Sequence, residues 1–93
     1  MTTNPVRIAV DPEAVVHTLQ HDAVEKVNRA EGEVILDFSR VRRIDPGVVR
    51  AMKELADLAD GRSVKVVLRA VNVDVYKVLK LLKLTGRFSF LEV

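Results

Sequence analysis

Residues 34–51 read VILDFSRVRRIDPGVVRA and decide how the rest of the chain folds. The first five are apolar except for Asp37, a composition typical of a parallel strand that is covered on both faces. Further along, the carboxylate of Asp45 can cap a helix, and Pro46 has no N–H group to leave unpaired at the first helical position. The stretch therefore predicts a central strand over 34–38, a short bridge and a helix that begins at Pro46.

The chain before this stretch predicts one strand and one long helix. Residues 6–10 are rich in β-branched side chains, as in a strand. Asp11 and Pro12 repeat the cap-and-proline pair, so a helix is expected to run from Pro12 to Ala30 and to end before Gly32. Apolar residues at spacings of three or four would form its buried stripe, namely Val16, Leu19, Ala23, Val27 and Ala30.

Residues 15–19 also permit a second interpretation, in which they form a strand paired in a hairpin with the first strand. Asp22 and Glu25 would then form a capping box for a shorter helix. The sequence alone leaves both interpretations open.

The rest of the chain predicts three further elements and two charged pairs. The helix from Pro46 is expected to stop at Gly61 in the left-handed conformation, and residues 63–69 form a third strand. Asn72 caps a third helix that ends at Gly86, and residues 88–93 form the last strand, while residues 1–5 form a frayed tail. On the solvent face of the second helix, pairs four residues apart would join Arg50 to Glu54 and Lys53 to Asp57.

The order of these elements is β-α-β-α-β-α-β, which predicts an α/β fold with a four-stranded, mainly parallel sheet and three helices. At 93 residues the chain is long enough for one hydrophobic core, so residues 1–93 are expected to form a single domain.

The composition predicts a cytoplasmic protein without a membrane span. The absence of cysteine excludes disulfides, thiol nucleophiles and cysteine-bound zinc. No apolar run approaches the roughly 18 residues of a spanning helix. The N-terminus has neither the basic start nor the apolar segment of a signal peptide.

Charge is unevenly distributed along the chain, and this distribution bears on the partner. Residues 1–45 carry six Lys and Arg against eight Asp and Glu, whereas residues 46–93 carry nine against five. The basic half suits an acidic protein surface better than nucleic acid, because the charge is not clustered and four aromatic residues offer little surface for base stacking. We therefore expect a protein partner and no nucleic acid.

Enzymatic chemistry has little support in the sequence. Each of the four glycines is placed at a helix boundary, so none belongs to a phosphate-binding loop. Asp37 and Asp45 flank the bridge, but a helix cap and a backbone contact explain them better than a catalytic pair does. The free amides after Pro46 could bind an anion, which keeps open a second function as a small-anion, nucleotide or lipid binding module.

A metal site is not expected either. His17, His21 and Glu25 lie four residues apart and could share one helix face. A solvent-exposed face often carries such residues, and no third ligand converges on them from elsewhere in the sequence. No cofactor is expected.

Two stretches carry a family resemblance. The order VILDFSRV followed by IDPGV, and the later VLKLLKLTGRFSF, resemble the STAS domain of bacterial anti-sigma-factor antagonists and of sulfate-transporter tails. The resemblance implies a regulatory or scaffold role without catalysis, a partner of the serine-kinase-type anti-sigma class, or a place as a subunit of a transporter assembly. It also implies that the helices gather against one sheet face, leaving an apolar face or edge through which a homodimer or a partner could bind.

The resemblance further implies a contact surface around the start of the second helix. Its residues would be Arg43, Asp45, Pro46, Gly47, Val48 and Arg50. The family carries a regulatory phosphoserine at the position of Pro46, and no serine or threonine occurs between Ser39 and Ser63. The expectation is therefore a non-phosphorylatable member whose contact is constitutive.

Overall fold

The computed structural model describes residues 6–30 and 32–91, and the predicted α/β architecture is confirmed within them. The predicted tail over 1–5 and the last two residues of the predicted final strand lie outside the described residues. The strands are β1 (Val6–Ala9), β2 (Glu33–Asp37), β3 (Lys65–Arg69) and β4 (Ser89–Leu91). The helices are α1 (residues 15–29), α2 (Pro46–Gly61) and α3 (Val73–Leu81), with a 3-10 turn at Thr85–Arg87.

The four strands lie in the order β1-β2-β3-β4, and every neighbouring pair is parallel. Right-handed crossovers that always step in the same direction place all their helices on one face of the sheet. The core confirms this arrangement, since Leu36 and Leu68 of the sheet join Leu19, Leu55 and Leu79 of the three helices in one buried cluster. The described part of the chain is therefore a helical layer on a parallel sheet.

The opposite sheet face carries residues that alternate with those of the core. Ile35 and Val67 are paired in register on this face, and only 3% and 4% of their surfaces are exposed. Charged side chains of Arg7, Asp37 and Arg69 occur at alternate positions beside them. The centre of this face is therefore buried, whereas Leu91, which shares the face on β4, is 45% exposed.

Helix α1 begins later than predicted. Asp11 accepts a hydrogen bond from the backbone N–H of Glu13 across 2.9 Å, which makes a local turn in place of a helix cap. The helix starts at Val15, so both the predicted start at Pro12 and the alternative strand over 15–19 are wrong. Asp22 likewise lies within the helix and makes no side-chain cap.

A wide π-helical turn, Thr18–Asp22, interrupts α1. The buried apolar residues there are four positions apart, from Leu19 to Ala23 to Val27. On an ordinary α-helix four residues turn through about 400°, so each of these residues would be rotated by about 40° around the helix axis from the one before it. A π-helical turn contains more residues, so it reduces this rotation and keeps the apolar residues closer to one face. All three side chains are fully buried, together with Thr18, whose hydroxyl donates to the carbonyl oxygen of Ala14.

The last turns of α2 and α3 share one geometry that the glycines do not explain. Gly61 is helical, and the left-handed residue after α2 is Ser63, with φ 56°. In the same way Lys83, with φ 59°, ends α3, so the predicted stops at Gly61 and Gly86 are wrong. In both cases the next residue is a buried aliphatic side chain whose N–H donates back into the helix, Val64 to Ala59 and Leu84 to Leu79.

Candidate functional site

The bridge between β2 and α2 lies at the carboxyl edge of the sheet. Val41 is buried beneath it and Ile44 is half-buried, while Arg42 and Arg43 are exposed. Asn72 fixes the bridge from the other side, because its side-chain amide donates to the carbonyl oxygen of Arg42 at 3.1 Å. The sequence predicted Asn72 only as a cap, and that role is confirmed by its acceptance from Val75 N–H at 2.8 Å.

The start of α2 is capped as the sequence predicts. The Oδ1 atom of Asp45 accepts from the backbone N–H of Val48 at 2.8 Å, and its carbonyl oxygen accepts from Val49 N–H at 3.0 Å. Pro46 occupies the first helical position. Because a carboxylate already faces these amides, the geometry disfavours the anion site considered from the sequence.

The residues expected to form the contact surface separate into two groups. Arg43, Asp45, Pro46, Gly47 and Arg50 are exposed. Val48 is not, since only 4% of its surface is exposed and its side chain belongs to the core. It therefore supports the surface from beneath and cannot contribute a side-chain contact. Five of the six predicted residues are exposed, and their contact with a partner stays a prediction.

A groove between α2 and α3 extends this surface. We call it the α2–α3 groove; its volume is about 610 Å³, and it is lined by Ile44, Asp45, Pro46, Val49, Arg50, Lys53, Val78 and Leu82. The surface predicted from the sequence does not include five of these residues, and two of the five, Val78 and Leu82, reach the first turns of α2 only through the packing of α3. The sequence does contain one indication of this wall of the groove. Val78 and Leu82 are four residues apart, so they lie on one side of α3, next to the inward-facing Leu79.

The groove combines apolar walls with positive charge. Arg50 and Lys53 line it, and its one carboxylate, Asp45, is engaged with the helix start. The predicted pairs within α2 do not form, since the salt bridges of the described residues include neither Arg50 nor Lys53. Asp57 is instead held by Arg87 at 2.7 Å, which leaves Lys53 without its expected partner.

A second basic cleft lies beside the first, between the β1–α1 loop and the bridge. Its volume is about 420 Å³, and it is lined by Pro12, Glu13, Arg40, Val41, Arg42 and Arg43. Three arginines against one glutamate give this edge of the molecule a positive potential, which favours an acidic partner.

Asp37 has a structural role away from the groove. Hydrogen bonds from the Ser39 hydroxyl and from the Ser39 backbone N–H hold the pKa of the Asp37 carboxyl below its ordinary value, and Arg69, at 3.2 Å, acts in the same direction. These partners account for Asp37 without a catalytic pairing to Asp45.

The histidine pair of α1 is solvent-exposed. The rings of His17 and His21 stack with centroids 4.4 Å apart. Among residues 6–30 and 32–91, no three His, Asp or Glu side chains come together in a geometry that could hold a metal ion. None of the helices in these ranges combines the length and apolarity that crossing a membrane requires.

Comparison with solved structures supports the architecture. The crystal structure of a candidate anti-sigma factor antagonist from Thermotoga maritima, TM1081, matches with a TM-score of 0.71 and 18% sequence identity, over 96% of this chain and 72% of that chain. The NMR structure of the protein TM1081 matches with a TM-score of 0.74 and 17% identity, over 94% and 73% of the two chains. At such identities the likeness shows the fold alone.

Comparison of the sequence with protein families identifies the family. No curated protein matches the sequence significantly. The family model described as "Mlab, STAS domain" matches residues 9–92, nearly the whole chain. This match, together with the parallel sheet and the capped helix start, shows that the chain belongs to the STAS domain family.

Proposed function

We propose that this STAS domain regulates another protein by binding it through the start of α2, without catalysis and without a phosphorylation switch. The observation that carries the proposal is an exposed surface of Arg43, Pro46 and Arg50 that continues into an apolar groove. Exposed apolar walls beside unpaired cations are typical of protein-binding surfaces. The domain would comprise residues 1–93 and act in the bacterial cytoplasm.

The identity of residue 46 supports a constitutive contact. The STAS resemblance places the regulated hydroxyl at Pro46, which has none to modify. A partner held here would therefore not be released by phosphorylation at this position. An anti-sigma factor of the serine-kinase type is one such partner, and a transporter component that uses the domain as a subunit is another.

Site-directed photo-cross-linking in the source cells tests the contact surface. A benzophenone amino acid replaces Arg50 in one variant and Lys65, an exposed cation at the opposite sheet face, in the control. We expect one protein adduct from position 50 and little from position 65. Equal adducts from both positions, or an adduct from position 65 alone, would contradict the proposal.

A further inference from the structure

We propose that the α2–α3 groove receives an amphipathic helix whose apolar stripe is flanked by acidic residues. This inference rests on the proposed function and adds the chemistry of the partner segment. It concerns α3, which the contact surface predicted from the sequence does not include.

The apolar part of the groove is well placed to accept side chains from outside. Val78 and Leu82 form one wall, and Ile44 and Val49 form the other. Leu82 is 44% exposed, and its neighbour Leu81 is 82% exposed. Large aliphatic side chains at this exposure gain free energy when a partner covers them.

The shape of the groove favours a helix over a small apolar ligand. It lies between two helices, is open to solvent, and extends over two turns of α2 from Pro46 to Lys53. Small ligands are usually enclosed on most of their surface, whereas an amphipathic helix needs only a trough for one stripe of side chains. The volume of about 610 Å³ is sufficient for several aliphatic side chains.

Charge determines which amphipathic helix fits. Arg50 and Lys53 stand on the α2 side, and the salt bridges of the described residues leave both unpaired. The α3 residues that line the groove, Val78 and Leu82, carry no charge, so the cationic rim is the α2 side. A helix with glutamate or aspartate beside its leucines would complement this rim.

A model peptide tests this inference without the natural partner. The probe is a helical peptide of about 16 residues with leucines at positions i, i+3, i+4 and i+7 and flanking glutamates. A scrambled peptide of the same composition and a version with lysine in place of glutamate are its controls. We expect saturable shifts of the methyl signals of Val49, Val78 and Leu82 with the glutamate probe alone, and weaker binding at high salt.

Variants of the protein locate the binding. Leu82→Glu should weaken binding of the glutamate peptide about tenfold or more, and so should the double change Arg50→Glu with Lys53→Glu. Val73→Glu and Lys80→Glu introduce the same charge on α3 away from the groove lining and should leave the Kd within about twofold. Arg50 and Lys53 are exposed, so the double variant tests the inference even if Leu82→Glu fails to fold.

Three results would overturn the inference. The first is that the glutamate peptide does not bind, and the second is that the scrambled or the lysine peptide binds equally well. The third is that phosphatidylglycerol vesicles shift the methyl signals of the groove while the glutamate peptide does not. If the cross-link from position 50 persists in any of these cases, the proposed function stands and only the partner chemistry is wrong.

Discussion

The side-chain amide of Asn72 joins helix α3 to the bridge, because it donates to the carbonyl oxygen of Arg42 at 3.1 Å while its Oδ1 caps α3. Asn72→Asp keeps the cap but loses the donor, so we expect a loss of about 1 kcal/mol in the free energy of unfolding. Asn72→Ala loses both contacts and should cost about 2 kcal/mol. Urea denaturation of the wild type and the two variants measures these losses; an Asn72→Asp variant as stable as the wild type would show that the bond to the bridge contributes nothing, and equal losses in the two variants would show that the cap contributes nothing.

The cap at Asp45 fixes the start of α2. Asp45→Ala should lower the free energy of unfolding by about 1 kcal/mol, because the N–H of Val48 loses its acceptor. Asp45→Asn keeps an acceptor oxygen at the same place and is the matched control, with a much smaller expected loss. A loss from Asp45→Asn as large as that from Asp45→Ala would mean that the carboxylate charge, and not the cap, is what matters.

The depressed pKa of Asp37 predicts an acid-dependent contribution to stability. A group whose pKa is lower in the folded state binds protons more weakly there, so its stabilisation is present at neutral pH and is lost as the pH falls through the folded pKa. Asp37→Asn should therefore be less stable than the wild type at neutral pH, with the difference shrinking in acid. Urea denaturation at a series of pH values measures this; a difference independent of pH would contradict it.

The end of α2 offers a test of the backbone geometry. Gly61 is helical and a Cβ there would meet nothing within 4 Å, so Gly61→Ala should stabilise the protein by about 0.5–1 kcal/mol. Ser63→Gly should also stabilise it, by up to about 1 kcal/mol, because it relieves the left-handed strain at φ 56°. Thermal denaturation compares both with the wild type. A destabilised Gly61→Ala would instead support the stop predicted from the sequence.

Local chemistry explains which parts of the fold the sequence could predict. The cap of Asp45 and the proline after it act within one turn. The apolar composition of β2 is enough by itself to predict that this strand is buried. The helix ends were mispredicted because Val64 and Leu84 gain burial that outweighs a left-handed residue before each of them. The balance between burial and backbone strain depends on packing in the folded core, so the position of a glycine in the sequence does not predict it.

The candidate site could also be predicted only in part from the sequence. Arg43 and Arg50 lie where a family resemblance and a helix start place them. Val78 and Leu82 are about thirty residues away from the first turns of α2 in the sequence, and only the packing of α3 brings them to the groove. The loss of the expected partner of Lys53 has a similar cause, since Arg87 reaches Asp57 from a distant turn.

We expect that phosphorylation does not release the partner bound at the start of α2. To test this, the protein is incubated with ATP and with the partner that the cross-link identifies, purified without the cross-link, and its retention on that partner is followed together with its intact mass. We expect unchanged retention and no gain of phosphate. Phosphate on Ser39, accompanied by release of the partner, would show that phosphorylation does control this contact.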